Sequence, residues 1–150
     1  MYNSIIKYNI RKAFQFVNDH NYADVAKGLS PTIRHHFSGD HALGGTRHNL
    51  AAVNEWFERV GRVFPDLKLT ITNIVVKGWP NNTLTIVQWT AAAPLVDGDA
   101  YSNHGVHFVK IKWGKITDMT VYEDSQAVAN ALAKQYESGI KEAKAEQIVS

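Results

Sequence analysis

The sequence predicts an α+β fold in which a curved antiparallel sheet carries helices on its concave face, with residues 1–150 forming one domain. Two periodicities carry this expectation. Apolar residues recur at steps of three and four up to about residue 64, and at every second position from Leu67 to Asp124. Helices followed by a long strand meander pack as a helical layer against a sheet. Composition agrees: 150 residues with 45% hydrophobic and 20% charged content can bury a core without disulfide staples.

The first helix is expected over 5–19, where Ile6, Ile10, Ala13, Phe14 and Val17 form one apolar face. A second, over 21–28, turns Tyr22, Val25 and Ala26 inward, and Gly28 suits a left-handed stop. Pro31 interrupts the helical pattern. Ile33, His35 and Phe37 then alternate with Thr32, Arg34 and His36, as in a short strand. Residues 38–45, with glycines at 39, 44 and 45, read as a mobile loop. Thr46 is placed to cap a helix over 47–63, built on Leu50, Val53, Phe57 and Val60 and stopped by Pro65-Asp66.

Four strands follow: Leu67–Lys77, Thr83–Ala93, Tyr101–Lys112 and Ile116–Asp124. They are separated by turn signals at 78–82, at Asp97-Gly98-Asp99 and at Gly114-Lys115. A final helix is expected over about 125–147, with Val128, Leu132, Tyr136 and Ile140 four apart and Gly139 as a break.

Several functional classes fall away. The absence of cysteine removes disulfides, thiolate catalysis and cysteine-ligated metals, and agrees with a cytoplasmic location. No apolar run approaches the roughly 20 residues of a membrane helix, and no signal peptide is visible, so no membrane partner is expected. Sixteen Lys and Arg against fourteen Asp and Glu are scattered without a basic stripe, which argues against nucleic acid. Seven histidines lack metal-ligand spacing: His35 and His36 point to opposite faces of a strand, as do His104 and His107, and His41 and His48 flank a glycine loop. No metal and no cofactor are expected. Gly-x-Ser-x-Gly and phosphate-loop motifs are absent.

The last hairpin ranks the remaining candidates. With Lys112 opposite Lys115, His107 would lie opposite Thr120 and Gly105 opposite Tyr122. His107, Thr120 and Tyr122 would then share one side of the sheet and Asp124 would continue it. Val106, Phe108, Met119 and Val121 would form the other side, an apolar face suited to a homodimer. A carboxylate facing an apolar hollow becomes a stronger base, and a neighbouring imidazole can share its proton. Asp124, His107 and Tyr122 are therefore the candidate catalytic set. Asp124 equally suits the N-cap of the final helix, and His107 a satisfied wall residue. His35, Trp89 and Trp56 are candidate ligand contacts, with ordinary core packing as the alternative.

The order helix, helix, short strand, helix and four long strands is similar to that of the NTF2-like superfamily. His35-His36-Phe37, then Gly45 through Phe64-Pro65-Asp66-Leu67, then Gly114-Lys115-Ile116 with Asp118 and Asp124, resemble its SnoaL-like, polyketide cyclase-like branch. Thr120 stands where that branch commonly has an aromatic residue, and the C-terminal helix exceeds the usual tail. The resemblance covers roughly residues 5–135 and implies a cone-shaped fold with an internal pocket, related to ketosteroid isomerase. It implies a pocket for a small, apolar, cyclic ligand, with isomerase- or cyclase-type proton transfer and no metal. The alternative on the same fold is a non-catalytic binding or interaction module.

Overall fold

A computed structural model describes all residues 1–150. Helices α1 (Tyr2–Asn18) and α2 (Tyr22–Lys27) precede β1 (Leu29–Phe37), β2 (Gly45–Arg47) and α3 (Leu50–Val63). The long strands β3 (Lys68–Trp79), β4 (Asn82–Pro94), β5 (Ala100–Lys112) and β6 (Lys115–Glu123) lead into α4 (Ser125–Glu137). The six strands form one sheet in the order β2-β1-β6-β5-β4-β3. It is mixed, not wholly antiparallel as expected: β1 runs parallel to β6, pairing Phe37 with Val121. No hairpin links these two strands, since α3 and the whole meander intervene, so connectivity does not force an antiparallel pair.

Strand alternation sorts the sheet into two faces. Ile33, Val87, Val109 and Val121 are buried on the inner face, against Ile6, Ile10 and Phe14 of α1 and Val53, Phe57 and Val60 of α3. Burial of a large apolar side chain stabilises by roughly 1.5–3 kcal/mol. These two amphipathic helices and the inner sheet face therefore drive one another's folding.

Local chemistry fixes the ends, in places differently from expectation. Asn49, not Thr46, caps α3 by accepting from the Ala52 amide at 2.9 Å. Thr46 is instead in β2, where its hydroxyl meets His36 Nδ1 at 2.8 Å. Gly28 ends α2 in a right-handed conformation (φ −89°) rather than the left-handed one. The last helix stops at Glu137, well short of 147, because Gly139 takes φ +104° and turns the chain into a short 3₁₀ helix at Lys141–Lys144. Tyr136 consequently stays exposed, while Gln135 is buried and bonds the Val63 carbonyl.

Beyond the 3₁₀ helix the chain runs back toward β2. Ile148 is buried, the Ser150 amide reaches the Thr46 carbonyl at 3.4 Å, and Gln147 donates to the Gly39 carbonyl at 3.2 Å. This tail pins residues 38–45, expected to be mobile: Ala42 and Leu43 are buried, and a Cβ on Gly44 would sit 1.9 Å from the Gly39 carbonyl oxygen.

The β5–β6 hairpin holds the decisive irregularity. Lys112 faces Lys115 and Ile111 faces Ile116, as expected, but Lys110 then faces Asp118. Thr117 is an extra residue on β6, a bulge whose hydroxyl bonds the Lys110 carbonyl at 3.4 Å. Every pair beyond it shifts by one, so His107 lies opposite Val121 and Val106 opposite Tyr122. Met119 and Val121 go inward, while Thr120 and Tyr122 go outward.

Candidate functional site

Between the inner sheet face and helices α1–α3 lies a cavity of about 510 Å³, within the range of roughly 300–1,000 Å³ typical of small-molecule sites. Of its 32 lining residues, 24 are hydrophobic. Phe14, Trp56, Phe57, Trp89 and Met119 are buried in its wall. The exposed lining residues Asn9, Lys12, Lys27 and Gly114 place its mouth between α1, α2 and the β5–β6 turn. Leu43 reaches the cavity from the 38–45 segment and is the one residue of that segment in its lining.

The structure brings four of the six candidate residues to this cavity: His35, Trp56, Trp89 and His107. Tyr122 is half exposed on the outer face, turned away from His107 by the Thr117 bulge. Asp124 caps α4, its carboxylate accepting from the Ala127 amide at 3.1 Å. The set Asp124–His107–Tyr122 does not assemble.

The two imidazoles are held in defined states. Trp89 Nε1–H donates to His107 Nδ1 at 2.6 Å, and an indole nitrogen can only donate. Neutral His107 therefore carries its proton on Nε2. Its remaining accessible surface faces the cavity rather than bulk water, and burial lowers its pKa to about 3. Arg47 Nε–H donates to His35 Nδ1 at 3.1 Å, which puts the His35 proton on Nε2 as well. His35 is fully buried against Trp56, with ring centroids 4.5 Å apart, and its Nε2 has no hydrogen-bond partner. Desolvation first, then the Arg47 charge, hold its pKa well below the usual imidazole range. At neutral pH both rings are neutral N–H donors with their acceptor nitrogens occupied, so neither is a free base.

The inner-face carboxylate at this end of β6 is Glu123, which takes the orientation expected of Asp124. Ser38 Oγ donates to its Oε1 at 3.0 Å, while Oε2 is buried without a partner. Burial pushes its pKa up to about 7, against the lowering effect of the Ser38 bond and with help from the Asp124 charge. It does not line the cavity; Gly105, opposite Glu123, is covered by the Trp89 ring. Sequence reasoning missed Glu123 by one residue, and the bulge that causes the shift leaves no composition signal. Tyr101, which does line the cavity, accepts from Asn103 Nδ2 at 2.9 Å and is pushed up to about 12 by burial. Among the lining residues the one carboxylate is Asp24, at the mouth and paired with Lys27 at 2.7 Å.

Comparison with known proteins agrees with this architecture. Residues 10–119 match a family described as SnoaL-like domain. The fold is similar to TerC co-crystallised with polyporic acid: TM-score 0.70, 20% identity, 81% of this chain and 93% of that one. It is also similar to an NTF2-like protein of unknown function from Burkholderia pseudomallei K96243, at TM-score 0.73, 17% identity and coverage of 83% and 95%. IdmH from Streptomyces antibioticus, described as a proposed polyketide cyclase, aligns at TM-score 0.69 with 14% identity, over 85% and 97%. No curated protein sequence matches this chain. Identities this low establish the shared fold and leave activity open.

Proposed function

Because this chain belongs to the SnoaL-like family, we propose that its cavity binds a small, largely apolar, cyclic molecule. The observation that carries this reading is a mostly hydrophobic cavity of about 510 Å³ with two imidazole N–H donors in its wall. Trp56 and Trp89 supply flat aromatic surface beside those donors. Calorimetric titration with planar two- and three-ring aromatic probes should give saturable one-to-one binding. Ala13→Phe, on the α1 side of the cavity, should weaken it by filling space. No saturable binding to any such probe, together with a native mass spectrum free of small molecules, would sink the reading.

A second reading adds acid–base proton transfer, in the manner the family resemblance implies. The cavity wall offers this reading no free base; the carboxyl that would have to act is Glu123, held by Ser38 outside the lining, and not Asp124 or Tyr122. A bound enolisable ketone would exchange its α-proton with deuterated solvent faster than free ketone, and Glu123→Gln would remove the acceleration. Without that acceleration the protein acts as a binding module.

We also propose a homodimer through the outer sheet face. Val75, Ile86 and Phe108 stand in register across β3, β4 and β5, with Val106 and Tyr122 in the next row. Met119 and Val121, expected in that patch, lie inside. Light scattering at micromolar concentration should return about twice the 16.8 kDa chain mass; a value near one chain refutes it.

A further inference from the structure

Arg47 is fully buried and meets no carboxylate. Its guanidinium donates to the carbonyls of Gly44 (3.3 Å), Gly45 (2.7 Å) and Ile148 (2.9 Å), and to His35 Nδ1 (3.1 Å). Its neighbour Arg59 shows the usual solution, a Glu142 carboxylate 3.2 Å from its Nε. A buried charge is costly unless paired, and carbonyl dipoles neutralise it only in part. The uncompensated cation stands directly behind two cavity residues. It polarises His35 through a hydrogen bond, and it lies 5.4 Å from the centre of the Trp56 ring.

We propose that the cavity takes a ligand bearing an anionic oxygen, a carboxylate or an enolate, seated on the Nε2–H of His35, with the Nε2–H of His107 as a further donor in the same lining and Arg47 as the positioning residue that supplies the charge. This rests on the ligand-binding reading above and names the chemical class. A fully buried ring nitrogen without a partner is a donor waiting for an acceptor, and it sits on the ring edge turned away from Arg47. His107, half-buried in the same lining, also carries its proton on Nε2, fixed in that tautomer by Trp89. Two preorganised neutral donors backed by a remote positive charge stabilise an oxyanion without surrendering a proton to it. The mouth has the same sign: Lys12 and Lys27 line it, Lys115 is tethered to the Lys27 carbonyl, and Asp24 is the opposing charge.

The test compares 2-naphthoate with 2-naphthamide, two probes of matched shape that differ in charge. Calorimetry at pH 7.5 should show wild-type protein binding the carboxylate at least tenfold more tightly. That preference should persist in 0.5 M NaCl, because salt screens the exposed lysines at the mouth far more than a buried guanidinium. His35→Phe, which keeps a ring but removes the donor, and Arg47→Met should each cut the preference below threefold, with retained far-UV circular dichroism confirming the fold. Equal wild-type affinities, or a preference abolished by salt, overturn the proposal even where no variant folds. Binding of both probes without preference leaves the ligand-binding reading standing, whereas binding of neither overturns this proposal and leaves that reading to the wider probe set and the native mass spectrum.

Discussion

Replacing His107 with Gln should produce a stability change whose size depends on pH in a calculable way. His107 is neutral in the folded protein down to about pH 3, because burial disfavours its charged form. In the unfolded chain it protonates near pH 6.5. Between these values the unfolded state binds one more proton than the native state, so stability at this position falls as pH falls from 6.5 toward 3. At pH 5 the loss amounts to about 2 kcal/mol, and at pH 7.5 it is close to zero. The Gln variant keeps an acceptor for Trp89 and cannot take up this proton. Whatever the substitution costs at pH 7.5, that cost should therefore shrink by about 2 kcal/mol at pH 5. Urea unfolding followed by tryptophan fluorescence at the two pH values measures the difference, with m-values compared to verify two-state behaviour. All other titrating groups are common to both chains and cancel. A cost that is the same at pH 7.5 and pH 5 would mean that His107 charges freely in the native state, which would refute its assignment as a neutral donor.

Asp124→Ala should lose about 1 kcal/mol of stability by removing the α4 cap, while Asp124→Asn should change it by only a few tenths. Urea melts distinguish this from any larger role, since a loss above about 2 kcal/mol in the Asn variant exceeds what a cap supplies. Glu123→Gln should raise the melting temperature at pH 8.5 and have little effect near pH 4.5. The folded carboxyl is pushed up to about 7 while the unfolded one titrates at its ordinary value, so the native state is progressively penalised as pH rises through that interval. A melting-temperature gap that does not change with pH would show the carboxyl to be well solvated.

The order of elements was legible in the sequence because it depends on periodicity, which is local. Ile6, Ile10 and Phe14 recur at helical spacing, and Val87, Trp89 and Ala91 at strand spacing, and all six are buried. His35 and Trp89 reached the predicted cavity because simple alternation from Ile33 or Val87 suffices to orient them. The Asp124–His107–Tyr122 grouping failed because it needed the register between two strands, a property of pairing. One unpaired threonine exchanged the two faces of β6 beyond it and put Glu123 where Asp124 was expected. The role of Arg47 was equally hidden. Its partners are carbonyls, which every residue has, and one of them lies in a tail whose path depends on the turn at Gly139.

The contact between Arg47 and the Ile148 carbonyl spans 101 positions of the chain. Closing a flexible loop of that length costs about 4 kcal/mol of entropy by the logarithmic scaling alone, before any local term. A closure of this length is expected to follow formation of the strands and helices that shorten the effective loop. Until then the Arg47 guanidinium retains its water, because two glycine carbonyls and an imidazole are a poor exchange for full hydration. The His35 wall of the cavity therefore sets only after the tail has seated. A folding intermediate with intact strands and an unseated tail would contain the hollow and lack its electrostatic character. Recovery of tryptophan burial would precede recovery of anion affinity in time.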